Sequence, residues 1–417
     1  MAKNYICGLD IGTSKIAACV VEVRKGKAVD VFFESQESLG VKKGSVVDSI
    51  ELVECVGKVL KALKAKSGIN IKAVHANIAG QDVATKHSRA IIPLAERGNK
   101  VITSADIKNV IHQAFILGSI IEDEVIHQIP YSYTVDNKTG ITNPLGLYGH
   151  KLEVDLYLIC AKLSNVQTII YAVNQAGYDV KEIFLSGLAT SEVIFDEELK
   201  KGNNILCDIG SDITELIFFK DGILKDIKML FMGGSDLTRA LQDGLNIPFE
   251  LAKDIKISSG TVDESGVLDE NKQILVKKDN EYQSIKKKQV WDILNTQTKS
   301  MCFSLKDAVE KTVALNEINH FVFTGRTILQ EGFLEMLETN TGIPLEFARI
   351  RDPQVAPLIN KNSALSGRKY LTYATALGLA CKELYGYEPK TLTIQKSSHN
   401  PVFKAVNKLK EIYQEYF

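Results

Sequence analysis

The chain lacks any cysteine arrangement that could tie it together. Its seven cysteines (Cys7, Cys19, Cys55, Cys160, Cys207, Cys302 and Cys381) are scattered, odd in number and include no Cys-x-x-Cys pair. That argues against a disulfide framework or a structural zinc site and fits a reducing compartment. The seven histidines show no His-x-x-x-His or comparable ligand spacing, so core or surface roles are favoured over metal binding. Charge of either sign is not in excess: 50 Lys and Arg against 51 Asp and Glu give a net charge of −1. The chain therefore carries no global electrostatic footprint for nucleic acid. No apolar run reaches the ~18–20 residues that a spanning helix needs. The N-terminus runs almost directly into a strand, which leads us to expect no signal peptide and a cytosolic setting.

What is present is the composition of a globular protein, 45% hydrophobic and 24% charged over 417 residues. That length is too great for one ordinary core, so two or more domains are expected. Two distant segments look like one device used twice. The first runs from Tyr5 through Asp10-Ile11-Gly12-Thr13-Ser14-Lys15 to Ile16; the second runs from Asn204 through Asp208-Ile209-Gly210-Ser211-Asp212 to Leu216. Each is an apolar run that ends in Asp-Ile-Gly, passes small hydroxyl residues and enters another apolar run. This pattern reads as a β-hairpin with Asp and Gly in its turn. Glycine allows close backbone approach to a phosphate and dihedrals that other residues avoid. Hydroxyls and backbone N–H groups can cradle anionic oxygens, and Asp10 and Asp208 could each hold a hydrated metal ion. Two such hairpins from two half-molecules could close on one nucleotide. The plainer alternative for Asp10 is an ordinary turn residue, and for Lys15 a solvated strand start.

The pattern around each hairpin also repeats. Strands are predicted at 4–11, 16–23 and 28–38, a helix at 49–66 capped by Asp48 and closed by Gly68, and a strand at 71–79. Strands at 204–210, 213–220 and 223–230, then a helix from about Ser235, repeat the order. Between them, residues 83–163 read as a small α/β insertion: a strand, a helix at 104–117 capped by Thr103 or Ser104, and strands at 125–135 and 151–160. A helix at 164–176, capped by Ser164 and ended by Gly177, returns to the first half. Residues 249–310 carry most of the lysines of the second half, and Lys277-Lys278 and Lys286-Lys287-Lys288 read first as a solvated face. A strand at 319–324, a helix at 328–340, a largely loop region at 349–368 and a helix at 370–384 follow.

These parts in this order resemble the bacterial cell-division protein family FtsA, actin-like proteins of the sugar-kinase, chaperone and actin superfamily. The resemblance rests on Gly8-Leu9-Asp10-Ile11-Gly12-Thr13-Ser14-Lys15-Ile16, on Asn77-Ile78-Ala79-Gly80 and on Ile129-Pro130-Tyr131-Ser132-Tyr133. It continues in Gly140-Ile141-Thr142-Asn143-Pro144-Leu145-Gly146, Met232-Gly233-Gly234 and Tyr373-Ala374-Thr375-Ala376-Leu377-Gly378. It implies an α/β fold of two duplicated, RNase H-type actin-like halves, with an FtsA-type inserted subdomain, 1C, and a C-terminal amphipathic helix. The implied boundaries are 1–82 and 164–202 for the first actin-like domain (1A), 83–163 for 1C, 203–248 and 319–385 for the second (2A) and 249–318 for subdomain 2B. Residues 386–400 would be a linker and 401–417 a membrane-targeting helix.

By the same resemblance the cleft binds ATP with Mg2+. Asp10, Gly12, Thr13, Ser14, Lys15, Asp208, Gly210, Ser211, Gly234, Glu250, Lys253, Gly325 and Arg326 stand at nucleotide-binding positions, and Asp10 and Asp208 hold the metal through water. Two departures from the family pattern stand out. Ser211 and Asp212 occupy a loop that usually carries further glycines, and Asp212 would place a carboxylate against the phosphates, which is repulsive unless a metal or a turned-away rotamer intervenes. Thr324-Gly325-Arg326-Thr327 replaces a Gly-Gly adenosine loop, where Arg326 could stack on the base or fill its pocket. Lys253 stands where an acidic residue is common. Any hydrolysis is expected to be slow or absent.

In the tail, Val402, Phe403, Val406, Leu409, Ile412, Tyr413, Tyr416 and Phe417 fall on one half of a helical wheel, while Lys404, Asn407, Lys408, Glu411, Gln414 and Glu415 fall on the other. That amphipathicity predicts a helix in the membrane surface; a helix docked on the body is the plainer alternative. The implied partners are the C-terminal peptide of the tubulin-like FtsZ on subdomain 2B, further copies of the chain in a filament, and lipid, with no nucleic acid. The implied place is the cytoplasmic face of the cell membrane, peripheral, at the division site. Two rival readings are a kinase-type enzyme of the same superfamily and a PilM-like pilus-assembly adaptor.

Overall fold

The computed structural model describes residues 4–384 apart from 96–97, 264–272, 279–280, 363–364 and 366. The predicted linker 386–400 and the tail residues 401–417 lie outside the described residues. The chain divides into two compact units; the larger comprises residues 4–84, 122–124 and 161–384, and the smaller residues 85–121 and 125–160.

The larger unit is built from two five-stranded sheets of the same plan. In the first, Asn4–Ile11 is central, with Lys15–Arg24 and then Lys27–Glu37 antiparallel on one side, and Ala73–Ile78 and then Asp179–Leu185 parallel on the other. In the second, Asn203–Ile209 is central, flanked by Thr214–Lys220 and Ile223–Leu230 on one side and by Ile318–Thr324 and Leu345–Phe347 on the other. The sequence repeat is thus a repeat of topology, and in each sheet the Asp-Ile-Gly turn caps the central hairpin.

Burial explains why these runs are strands rather than helices. Ile16 to Val21 are all fully buried, so side chains on both faces of the sheet are covered, as expected of the inner strands of an α/β layer. The helix Ser49–Ser67 covers one face with Leu52, Val56, Val59, Leu60 and Leu63, each worth roughly 1.5–3 kcal/mol when removed from water. It begins where Asp48 accepts from the backbone N–H groups of Ile50 and Glu51, and it ends at Gly68 in the left-handed conformation. The helix Ala374–Leu384 packs against Asn4–Ile11 and against the helix Ser186–Ile194. The approach is close enough that a Cβ on Gly8 would lie 1.9 Å from the Ala376 carbonyl oxygen, and one on Gly378 would lie 1.8 Å from that of Ala189. Neither position can hold a side chain.

In the smaller unit, a sheet in the order Lys138–Ile141, Asp123–Val135, Lys151–Lys162, Val83–Pro93 packs with the helix Ser104–Gly118 around Ile102, Val110, Leu152, Val154, Leu156 and Leu158. Thr103 caps that helix in a reciprocal box with Asp106.

Several expectations need correction. The helix predicted at 164–176 is Leu163–Gln175 and has no side-chain cap, so Ser164 lies within its first turn instead of capping it. The helix expected at 328–340 is a 3-10 turn, Thr327–Leu329, followed by an α-helix at Phe333–Thr341. Likewise 370–384 opens as the 3-10 turn Lys369–Tyr373 before the α-helix begins at Ala374.

Candidate functional site

The two Asp-Ile-Gly turns share one geometry. Gly12 N–H donates to the Lys15 carbonyl at 3.0 Å, and Gly210 N–H donates to the Ile213 carbonyl at 2.9 Å. A Cβ on either glycine would press on that same carbonyl, at 3.0 and 2.9 Å. Neither glycine has a positive φ, so the requirement at both is space and not an unusual dihedral.

The first turn is fixed from beneath. Asp10, buried at 6% exposure, pairs through Oδ2 with Lys15 Nζ at 2.5 Å and accepts through Oδ1 from Asn77 Nδ2 at 2.8 Å. Asn77 Oδ1 in turn accepts from Ile11 N–H at 2.6 Å, and Asn77 Nδ2 reaches Ser186 Oγ at 2.8 Å. Asn77 on the neighbouring parallel strand, itself held by Ser186 at the start of the helix Ser186–Ile194, therefore sets the Asp10 rotamer. Thr13 Oγ1 accepts from Gly44 N–H at 3.4 Å.

In the second turn, burial and the charge of Asp10 push the Asp208 carboxyl up to about 6, with Lys15 opposing. Beside it, Glu215 is held well above the usual carboxylate range by burial and then by Asp208 and Asp10, and its Oε1 has no hydrogen-bond partner. Three carboxylates thus act on one another across the two turns, with Lys15 as a nearby cation. Asp10 and Asp208 oppose each other in a way that a divalent cation would relieve. Among the described residues no group of three or more His, Cys, Asp or Glu is placed to ligate a metal directly. The donor set fits an ion held through water, and the absence of a side chain at Gly12 and Gly210 lets each turn close tightly on its own carbonyl.

The third strand-end loop closes on the second turn. Gly325, at φ 93°, is packed so that a Cβ would lie 2.2 Å from the Ile209 carbonyl oxygen and 2.7 Å from Asp208 Oδ1. Thr327 Oγ1 donates to the Gly210 carbonyl at 2.7 Å. Arg326 Nη2 donates to Ser14 Oγ at 2.8 Å; burial lowers its basicity, while Asp10 and Glu37 favour its charged form.

The helices Gly234–Leu245 and Phe249–Ser259 complete the wall. Gly234 N–H donates to the Gly210 carbonyl at 3.0 Å, and Ser235 N–H to that of Ser211 at 2.8 Å. Both N–H groups are therefore already committed within the protein, and Gly234 contributes space rather than a free donor. Lys256 Nζ donates to the Gly234 carbonyl at 2.6 Å and to Thr238 Oγ1 at 2.8 Å; burial, with Arg326 and Lys253 nearby, pulls its amine down to about 8. Lys253 pairs with Glu37 from the first sheet and with Glu250 at 3.3 Å.

Asp212 is engaged within the protein. It accepts from Ser235 Oγ and from Lys43 N–H at 3.2 Å, and Arg239 lies 3.8 Å from it. These donors hold the carboxylate in one rotamer. The structure thus gathers Asp10, Gly12, Ser14, Lys15, Asp208, Gly210, Gly325 and Arg326 around one space. Sequence reasoning missed Asn77 and Glu215 as members of this site. The Asn77-Ile78-Ala79-Gly80 stretch contained a signal, and Glu215, seven residues after Asp208 at the start of a buried strand, contained one as an unexplained charge.

Two family models match the chain: one described as the SHS2 domain inserted in FTSA, over residues 80–160, and one described as cell division protein FtsA, over residues 205–378. A cell division protein FtsA from Borreliella burgdorferi is 25% identical over 427 residues, covering 100% of this chain and 99% of the relative. One from Buchnera aphidicola is 30% identical over 281 residues, covering 67% of this chain and 66% of the relative. Among solved structures, a PilM–PilN type IV pilus biogenesis complex superposes with a TM-score of 0.66 at 15% identity, over 92% of this chain and 99% of that one. At that identity the likeness is one of fold.

Proposed function

Because the chain belongs to the FtsA family of cell-division proteins, within the actin-like ATPase superfamily, we propose that it is a division-site adaptor that binds ATP between its two halves. It assembles head to tail on the cytoplasmic membrane surface and tethers the FtsZ C-terminal peptide there. The observation that carries this reading is the pair of matching turns at Asp10–Lys15 and Asp208–Thr214, with Arg326 reaching Ser14 across the space between them. Space beside Gly12 and Gly210 admits the phosphates. Lys15 and Arg326 supply positive charge, and Asp10 and Asp208 would hold Mg2+ through water. The ion, when bound, neutralises phosphate charge.

No helix among the described residues is long and apolar enough to cross a membrane, so a surface anchor is the mode this reading requires. The anchor is the segment 401–417, through Phe403, Val406, Leu409, Ile412, Tyr413, Tyr416 and Phe417. Its three lysines face two glutamates, which leaves little net charge, so apolar burial carries the attachment. Repeated head-to-tail contacts form filaments because such contacts do not close, and multivalent attachment then strengthens membrane binding. The FtsZ peptide docks on the subdomain at 249–318.

Electron microscopy on lipid monolayers tests the assembly. With ATP the intact chain forms filaments. Deletion of 401–417, or Phe403→Glu with Leu409→Glu, removes them from the lipid without changing nucleotide affinity. Dispersed particles under every nucleotide and lipid condition would remove the filament reading.

A further inference from the structure

A second concentration of charge lies on the edge strand Leu345–Phe347 and the 3-10 turn Lys369–Tyr373, among residues that the cleft does not use. A cavity of about 410 Å³ opens there, lined by Phe347, Arg349, Arg351, Arg368 and Tyr370 together with Glu346. Three guanidinium groups face one lining carboxylate, and that carboxylate is already engaged: Glu346 lies 2.5 Å from His320 Nδ1 and 3.9 Å from Arg351. Arg351 also reaches Asp196 at 3.4 Å, yet its Nε is buried without an acceptor. Neither Arg349 nor Arg368 has a carboxylate partner among the described residues.

The arginines are also placed with more care than a solvated surface requires. Arg368 adopts a left-handed backbone, φ 71°, a conformation that is unfavourable for a non-glycine residue. It carries its guanidinium 3.4 Å above the Phe347 ring. Tyr370 OH donates to the Ala348 carbonyl at 2.9 Å, which ties the turn bearing Arg368 back to the end of the edge strand. Arg349 and Arg368 are near enough to act on that phenol electrostatically. An ordinary exposed arginine needs none of this support.

We propose that this cavity binds a small phosphate-bearing ligand. Arg349 supplies the forked donors that match phosphate oxygens, the Arg368–Phe347 pair supplies a flat, positively charged wall, and Arg351, held by Asp196 and Glu346, adds charge behind them. Three guanidinium groups stand against two carboxylates, Glu346 and Asp196, and both of these are engaged by Arg351. The volume of this open cleft lies in the range of small-molecule sites.

The test is calorimetric titration of the intact chain with inorganic pyrophosphate in the absence of magnesium. It compares wild type, Arg349→Gln/Arg368→Gln and Gly12→Val. The pocket variant should lose roughly ten- to hundredfold in affinity, as expected when charged hydrogen bonds are removed, while Gly12→Val keeps the same binding. Arg349→Gln alone, at an exposed position, should show part of the loss and guards against misfolding of the double variant. Unchanged binding in both pocket variants would overturn the proposal. So would loss of all pyrophosphate binding in Gly12→Val, which would place the anion in the nucleotide cleft. Tighter binding of an acidic hexapeptide than of pyrophosphate, through the same arginines, would instead assign the cavity to a protein partner.

Discussion

Arg326 donates a hydrogen bond at 2.8 Å to the hydroxyl of Ser14, a residue 312 positions earlier in the chain. One comes from the strand-end loop of the second sheet and the other from the turn of the first. The bond therefore spans the space between the two phosphate turns and puts a cation within the field of Asp10.

Two roles are open to Arg326 at that position. If the guanidinium serves the phosphates, Arg326→Ala weakens ATP binding about tenfold, the loss expected for one charged hydrogen bond. Arg326→Lys, which keeps the charge but not the fork, recovers part of it. Titration with a fluorescent ATP analogue measures this. Tighter binding by Arg326→Ala would show that the side chain occupies the space the nucleotide needs.

Asp212 is committed to partners within the protein. Its carboxylate is held by Ser235, by Lys43 N–H and by Arg239, so removing it leaves buried donors unpaired. Asp212→Gly should leave ATP affinity unchanged or lower and should cost about 1–3 kcal/mol of stability, with Asp212→Asn costing less. Chemical denaturation alongside nucleotide titration gives both quantities. A clear gain in ATP affinity for Asp212→Gly would contradict the placement.

Asp208 makes a pH-dependent prediction. Its carboxyl is pushed up to about 6 by burial and Asp10, above the unfolded value of about 3.9. The folded state therefore binds the extra proton between those values, and the sign follows: the stability that Asp208 contributes is fully present below about pH 4 and is lost as pH rises through about 6. Asp208→Asn, which needs no ionisation, should raise the melting temperature at pH 7.5 in nucleotide-free, magnesium-free buffer and change it little at pH 4. A stabilisation of the same size at both values would show that Asp208 does not titrate as described.

Local chemistry made much of the fold legible. The helix Ser49–Ser67 was readable from Asp48 and Gly68 because both of its ends are capped by neighbouring residues. The central hairpins were readable because Asp-Ile-Gly joins two apolar runs. The strand Asp179–Leu185 and the helix Ser186–Ile194 were not. The strand alternates only weakly at its exposed start. The helix, Ser-Gly-Leu-Ala-Thr-Ser-Glu-Val-Ile, is small, hydroxyl-rich and buried along most of its length, so it shows no amphipathic stripe. The site was legible only in part for the same reason. Asp10 and Gly12 announce themselves in sequence, but the direction Asp212 faces depends on Ser235, 23 residues away. The engagement of Asp10 depends on Asn77, 67 residues away. The arginine cavity is a tertiary assembly of residues that read singly as loop.

Calorimetric titration of the intact chain with ATP, with and without magnesium, tests the central claim most directly, provided that Gly12→Val is measured beside wild type. The expected result is one site per chain in wild type, tightened by magnesium, and no measurable binding in a Gly12→Val protein that melts like wild type. The absence of binding by wild type at millimolar ATP, or equal binding by Gly12→Val, would contradict a nucleotide held between the two turns.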